Sequence, residues 1–146
     1  VRRAGLADRV VLTGRVDEAE LHAWYEAASL FVHPTLYEGS SLVTLEAMAH
    51  RLAVIATRAG GVPDKVKPGV NGWLVEPGDA DGLVRAIRQA LGASSQLRPM
   101  GDAGRAIVER EFSWTIATDR LLELYNDILR GASLQGLNLG SPPNRK

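Results

Sequence analysis

Leu30-Phe31-Val32-His33-Pro34-Thr35-Leu36-Tyr37-Glu38-Gly39-Ser40-Ser41-Leu42-Val43-Thr44-Leu45-Glu46-Ala47-Met48 is the stretch whose reading decides the fold. It begins with a short, continuous apolar run, as expected of a strand covered on both faces. A turn of small residues follows, and the chain then enters a helical pattern over 42–50. Strand, turn and helix in that order form the unit of an α/β domain with a parallel sheet.

Working outward, three further apolar runs read as buried strands: Val10–Leu12, Ala53–Ala56 and Trp73–Val75. Helical patterns separate them. Glu18–Ala28 carries Leu21, Trp24, Tyr25 and Ala28 at three- and four-residue spacing, with Asp17 as N-cap. Ala80–Leu91 places Leu83, Ala86, Ile87, Ala90 and Leu91 on one face, and Gly78-Asp79 supplies its turn and cap. After the last strand the pattern is helical only, over Arg98–Glu111 and then Ser113–Arg130. Ser113 caps the second of these, and Ile116, Leu121, Leu122, Tyr125, Ile128 and Leu129 form an expected buried stripe. Residues 1–130 thus read as an α/β domain with a parallel sheet. Residues 131–146, rich in Gly, Ser, Pro and Asn, read as a disordered tail.

Composition narrows the function classes. Apolar residues make up 45% and charged residues 23% of 146, the balance of a soluble globular domain. Lys+Arg and Asp+Glu each total 17, so the basic excess of a nucleic-acid binder is absent. With no cysteine there is no disulfide, thiolate metal site or cysteine nucleophile, which fits a reducing, cytoplasmic setting. The three histidines, His22, His33 and His50, lack metal-ligand spacing and are assigned surface or capping roles. Trp24, Trp73 and Trp114 are assigned to core packing.

Chemistry-bearing residues gather in three loops expected at the carboxyl ends of strands, where open α/β sheets bind ligands. These are Gly14-Arg15-Val16-Asp17, the His33–Ser41 loop, and Thr57–Asp64 with its Gly60-Gly61 pair. Gly39-Ser40-Ser41 leads into a helix whose first-turn N–H groups and dipole favour an anion such as a diphosphate. An ordinary N-cap has the same text. On that helix, at ~100° per residue, Glu46 lies about 40° from Leu42 and shares the apolar stripe. A carboxylate there pairs with an arginine, caps backbone groups, or accepts hydrogen bonds from a ligand's vicinal hydroxyls. Glu38 is either an exposed loop residue or a contact to a polar ligand group. Gly60-Gly61 is either turn chemistry or a point of close backbone approach.

In this order, these residues resemble the donor-binding half of retaining glycosyltransferases of the GT-B fold, the group-1 or family-4 class. The matching text is Phe31–Gly39, Leu42–Ala49 with seven residues between Glu38 and Glu46 (the EX7E pattern), Val54–Thr57, Gly60–Pro63, Gly69–Asp79 and Phe112-Ser113-Trp114. Leu6–Gly14 fits as well, so the resemblance covers nearly all of residues 1–130.

The resemblance implies a nucleotide-diphosphate sugar as donor, a hexose passed to an acceptor hydroxyl with retention, and no cofactor or metal. It makes Glu38 the catalytic-side residue on the donor sugar and Glu46 the holder of the ribose hydroxyls. Gly39, Ser40, Ser41 and Leu42 then lie near the diphosphate, Gly14, Arg15 and Val16 beside the base, and Gly60, Gly61 and Asp64 in an acceptor-side loop. Arg51, Ala53, Ser41 and Asp64 depart from the family's usual glycine, proline, glycine and glutamate.

The resemblance further implies that residues 1–130 are a partial nucleotide-sugar-binding, Rossmann-like domain, and that the acceptor-binding N-terminal domain of the same enzyme lies outside this chain. Two strands and the basic residues that grip the diphosphate would lie outside it too. The chain alone is therefore expected to be inactive, and the full enzyme could associate peripherally with a membrane. Alternatives are a GT-B-like nucleotide-sugar epimerase, a phosphorylase-like enzyme, or a non-catalytic module that binds a nucleotide-sugar or a partner. No G-x-G-x-x-G or G-x-x-x-x-G-K-[ST] appears, which argues against dinucleotide dehydrogenases and P-loop NTPases.

Overall fold

A computed structural model describes residues 1–130. The expected tail over 131–146 lies outside the described residues. Contacts divide the chain into two compact units, Val1–Val108 and the segment from Glu109 onward.

The first unit is built on a parallel sheet, as the β–turn–α text requires. Strands β1 (Leu30–His33), β2 (Ala53–Thr57) and β3 (Gly72–Val75) lie in the order β1-β2-β3. Leu30 pairs with Ala53 and Val54 with Gly72, and both ladders are parallel. Each crossover contains a helix: α2 (Leu42–Ala49) joins β1 to β2, and the one-turn α3 (Val62–Lys65) precedes β3. Preceding β1 is α1 (Glu18–Ala27). After β3 come α4 (Ala80–Gly92) and α5 (Ser94–Ile107). The central strand β2 is buried at every position. On one of its faces Ile55 packs with Ala86 and Ala90 of α4, alongside Leu83 and Ile87. α2 and α5 contact β2 and each other, and Gly104 lies against the Met48 side chain.

Two expected caps are present here. Asp17 accepts from the Glu20 N–H at 2.8 Å, and Asp79 accepts from the Gly82 N–H at 2.8 Å. α5 begins at Ser94, four residues before the expected start, and carries Pro99 within it before a π-helical turn at Val108–Phe112. Arg51 adopts φ 60 and bonds Asp102 at 3.1 Å.

Three expectations are corrected. Val10–Leu12 is not a strand. It has no regular secondary structure and pairs with no strand among the described residues, leaving Val11 71% and Leu12 81% exposed. A strand exists through its ladder, and apolar side chains without a neighbouring backbone do not make one. Second, Trp73 alone of the three tryptophans packs against the core. Trp24 and Trp114 are exposed, and Trp24 Nε1 donates to Glu20 at 3.3 Å. Third, in the other unit α6 (Trp114–Leu129) forms with Ser113 as cap, its Oγ accepting from the Ile116 N–H at 3.3 Å, yet α6 has no buried residue. Leu121, Leu122, Tyr125, Ile128 and Leu129 are exposed, so the amphipathic stripe is present without a cover among the described residues.

Candidate donor site

Two of the three ligand loops converge. The Glu38–Ser41 turn and the Gly60-Gly61 turn leave the carboxyl ends of β1 and β2, and the Gly61 N–H donates to the Gly39 carbonyl at 2.9 Å. Gly60 has φ +48, and a Cβ there would lie 1.5 Å from the Glu38 carbonyl oxygen. A Cβ at Gly61 would lie 2.9 Å from the Gly39 oxygen. The close approach that this pair permits is therefore to the backbone carrying Glu38. Asp64, on α3, is exposed.

Glu38 is half-buried and paired with His33, the last residue of β1, at 3.1 Å. A carboxylate only accepts, so the His33 Nε2 carries the proton of this bond. His33 thus departs from the surface or capping role expected of it: it orients the carboxylate at the head of the loop.

The start of α2 is built differently from that of α1 or α4. Ser41 occupies the N-cap position but makes no side-chain cap. Ser41 is 1% exposed and its Oγ instead bonds Thr44 Oγ1 at 2.8 Å, while Gly39, Ser40 and Leu42 are exposed. Among the described residues the first turn thus has no side-chain acceptor for its N–H groups, as an incoming anion would require.

Glu46 sits one helical turn further on, half-buried. The buried face of α2 is Thr44, Ala47 and Met48, and Leu42 is 66% exposed, so Glu46 borders the core face instead of lying within it. The Ser41–Thr44 bond explains the rotation, because it satisfies the threonine hydroxyl and lets that side of the helix turn inward. Among the described residues the partner of Glu46 is neither an arginine nor backbone. The Tyr25 hydroxyl of α1 donates to its Oε2 at 3.1 Å. Burial, this bond and the Glu46 charge together raise the Tyr25 pKa from its ordinary 10.0 to about 12. Tyr25 is thus a neutral donor at ordinary pH, and Glu46 Oε1 remains for a further donor. Tyr25 also stacks on His50, whose Nε2 lies 2.7 Å from His22 Nδ1.

The third loop is not brought into this network. Gly14 and Arg15 are exposed, and Val16 lines an apolar groove with Val11, Tyr25, Phe31 and Leu52. Its link to the site is indirect, through Tyr25. Among the described residues no cluster of His, Asp and Glu could hold a metal ion, and no helix is long and apolar enough to cross a membrane.

One site residue went unnoticed in the sequence. Lys65 is 3% exposed, and its Nζ donates to Ser40 Oγ at 3.2 Å and to the Gly61 carbonyl at 3.3 Å. The signal was available, since Lys65 lies three residues after Val62 and next to Val66, both fully buried. Helical spacing puts its stem on the same apolar side.

The chain is similar to proteins of known activity. The chain is 38% identical over 132 residues to the D-inositol 3-phosphate glycosyltransferase of Segniliparus rotundus, covering 90% of this chain and 29% of that protein. It is 34% identical over 126 residues to the MMP alpha-(1->4)-mannosyltransferase of Mycolicibacterium hassiacum, covering 86% and 31%. Among solved structures, the sucrose-phosphate synthase of Thermosynechococcus elongatus superposes with a TM-score of 0.80 at 35% identity, covering 89% of this chain and 33% of that one. Anabaena HepE in complex with UDP superposes with a TM-score of 0.77 at 28% identity, covering 86% and 34%. The chain therefore spans about a third of the length of these relatives. The family model described as glycosyl transferases group 1 matches residues 1–93, and with these relatives it makes the chain a member of the group 1 glycosyl transferases.

Proposed function

We propose that this chain is the donor-binding part of a retaining hexosyltransferase that uses a nucleotide-diphosphate sugar. One observation carries the reading: Tyr25 holds one oxygen of Glu46, leaving the other to a ligand, one helical turn from the uncapped start of α2. A ribose diol needs an acceptor of this kind, and a diphosphate needs unpaired N–H groups beside it. The complex of Anabaena HepE with UDP supports a nucleotide donor.

In this reading Glu46 accepts from the ribose hydroxyls, and the backbone of Gly39, Ser40, Ser41 and Leu42 receives the diphosphate. Glu38, oriented by His33, contacts the donor sugar. As the sugar–phosphate bond lengthens, negative charge grows on the leaving diphosphate. The N-terminal dipole of α2 stabilises that charge without a metal ion. Gly60 and Gly61 act from beneath, by fixing the backbone of Glu38 and Gly39. Asp64 stands on the acceptor side of the same loop.

Calorimetric titration with UDP-, GDP- and ADP-sugars tests this. Glu46→Gln should weaken binding of the preferred donor by about tenfold, which corresponds to ~1.4 kcal/mol. Unchanged affinity would remove Glu46 from the ribose. Because the chain spans about a third of its relatives, we further propose that it binds donor without transferring sugar by itself. Robust turnover of this chain with a donor and an acceptor would overturn that.

A further inference from the structure

We propose that Lys65 is the cationic positioning residue of the diphosphate cradle, acting through Ser40. The proposal rests on the donor-binding reading above and assigns the charge in that site.

The lysine is fixed from several directions. Its backbone carbonyl accepts from Asn71 Nδ2 at 3.0 Å, and the Asn71 Oδ1 accepts from the Lys67 N–H at 2.6 Å. Asn71, Val62 and Val66 are all fully buried. The stem therefore has one course, inward, and it ends between the two ligand loops at Ser40 Oγ and the Gly61 carbonyl. Those loops are themselves joined by the bond from the Gly61 N–H to the Gly39 carbonyl. An anion bound near a buried ammonium interacts with it with little screening.

Ser40 links the two. A hydroxyl has one proton to donate, and Ser40 Oγ accepts from Lys65, so its own O–H is directed to another acceptor. Ser40 is exposed at the start of α2, where the donor's phosphates are proposed to sit. Lys65 thus does two things. It makes the Ser40 O–H a stronger donor, and it adds fixed positive charge behind the N–H groups of Gly39–Leu42. A nucleoside lacks the phosphates and gains from neither.

The test compares ligands within one variant. The intact chain is titrated calorimetrically with UDP, GDP and ADP, and with the nucleoside of whichever diphosphate binds. Lys65→Met, which keeps the stem and removes the charge, should lower diphosphate affinity on the order of tenfold to a hundredfold, with nucleoside affinity held. Ser40→Ala should lose part of the same preference, and Lys65→Met should cost less in that background than in the parent. Equal weakening of diphosphate and nucleoside, or none of either, in Lys65→Met would overturn the proposal. Should Lys65→Met fail to fold, an unchanged preference in Ser40→Ala would overturn it as well. A parent chain that binds neither diphosphate nor nucleoside would bring down the donor-site reading and this proposal together. A parent that binds, with its preference intact in both variants, overturns this proposal only.

Discussion

Val10–Leu12 and β2 are made of the same kind of residue, yet Val11 and Leu12 are 71% and 81% exposed while Val54 and Ile55 are at 0%. β2 has a parallel ladder on each edge, and helices cover it. Val10–Leu12 has no ladder among the described residues. The apolar stripe of α6 repeats the lesson: helical periodicity forms the helix, and a partner surface is a separate matter. Apolar content states what a segment would gain from burial. Only a neighbour delivers it.

The sharpest way to break this comparison is to cut one side chain from each region. Ile55→Ala should cost about 2–5 kcal/mol, because it leaves a cavity in a close-packed core. Leu12→Ala should stay within about 0.5 kcal/mol, as for an exposed surface site. Denaturant unfolding of both variants measures the contrast. Similar losses at the two sites would mean that Val10–Leu12 is covered in solution.

A smaller effect is expected where the packing is between backbones. Gly60→Ala would drive a Cβ into the Glu38 carbonyl from a positive φ, costing about 1–3 kcal/mol for the strain and displacing the Glu38 loop. Donor affinity should fall with stability in this variant. Retained affinity would separate the loop from the site.

The smallest effect concerns the Tyr25–Glu46 bond. The folded chain holds the Tyr25 proton up to about 12, against 10.0 ordinarily. The unfolded chain therefore loses that proton first as pH rises. The stability this contributes is complete below pH 10 and lost as pH rises from there through about 12. Tyr25→Phe should cost about 1 kcal/mol at neutral pH, the usual net worth of one hydrogen bond, and should flatten this alkaline decline. A decline of the same size in Tyr25→Phe would assign it to other groups.

Much of the site was legible because it is local. The turn at Gly39–Ser41 and the helix it opens follow from residues adjacent in the chain, and so do the caps at Asp17, Asp79 and Ser113. Glu46 was recognisable as an unusual carboxylate, but its partner was not, since Tyr25 is twenty-one residues away on another helix. Periodicity also set the wrong reference face on α2. The wheel took Leu42 as inward, whereas the Ser41–Thr44 bond made threonine part of the buried face. His33 and Lys65 escaped for a related reason. His33 looks like an ordinary surface residue until the loop beside it is known, and helical spacing points to burial of Lys65 without naming what its ammonium meets.

The sequence by itself determined the succession of helices and strands after Asp17, the turn that carries Glu38, and membership in a family of sugar transferases. These depend on backbone preferences and capping within a few residues, and on motifs written in order. Only the tertiary structure decided which apolar runs have partners, that Gly60-Gly61 abuts the Glu38 backbone, and that a buried lysine lies beneath Ser40. Those contacts join residues eighteen or more apart. Their energies depend on the surfaces that meet, and no local pattern encodes which surfaces those are.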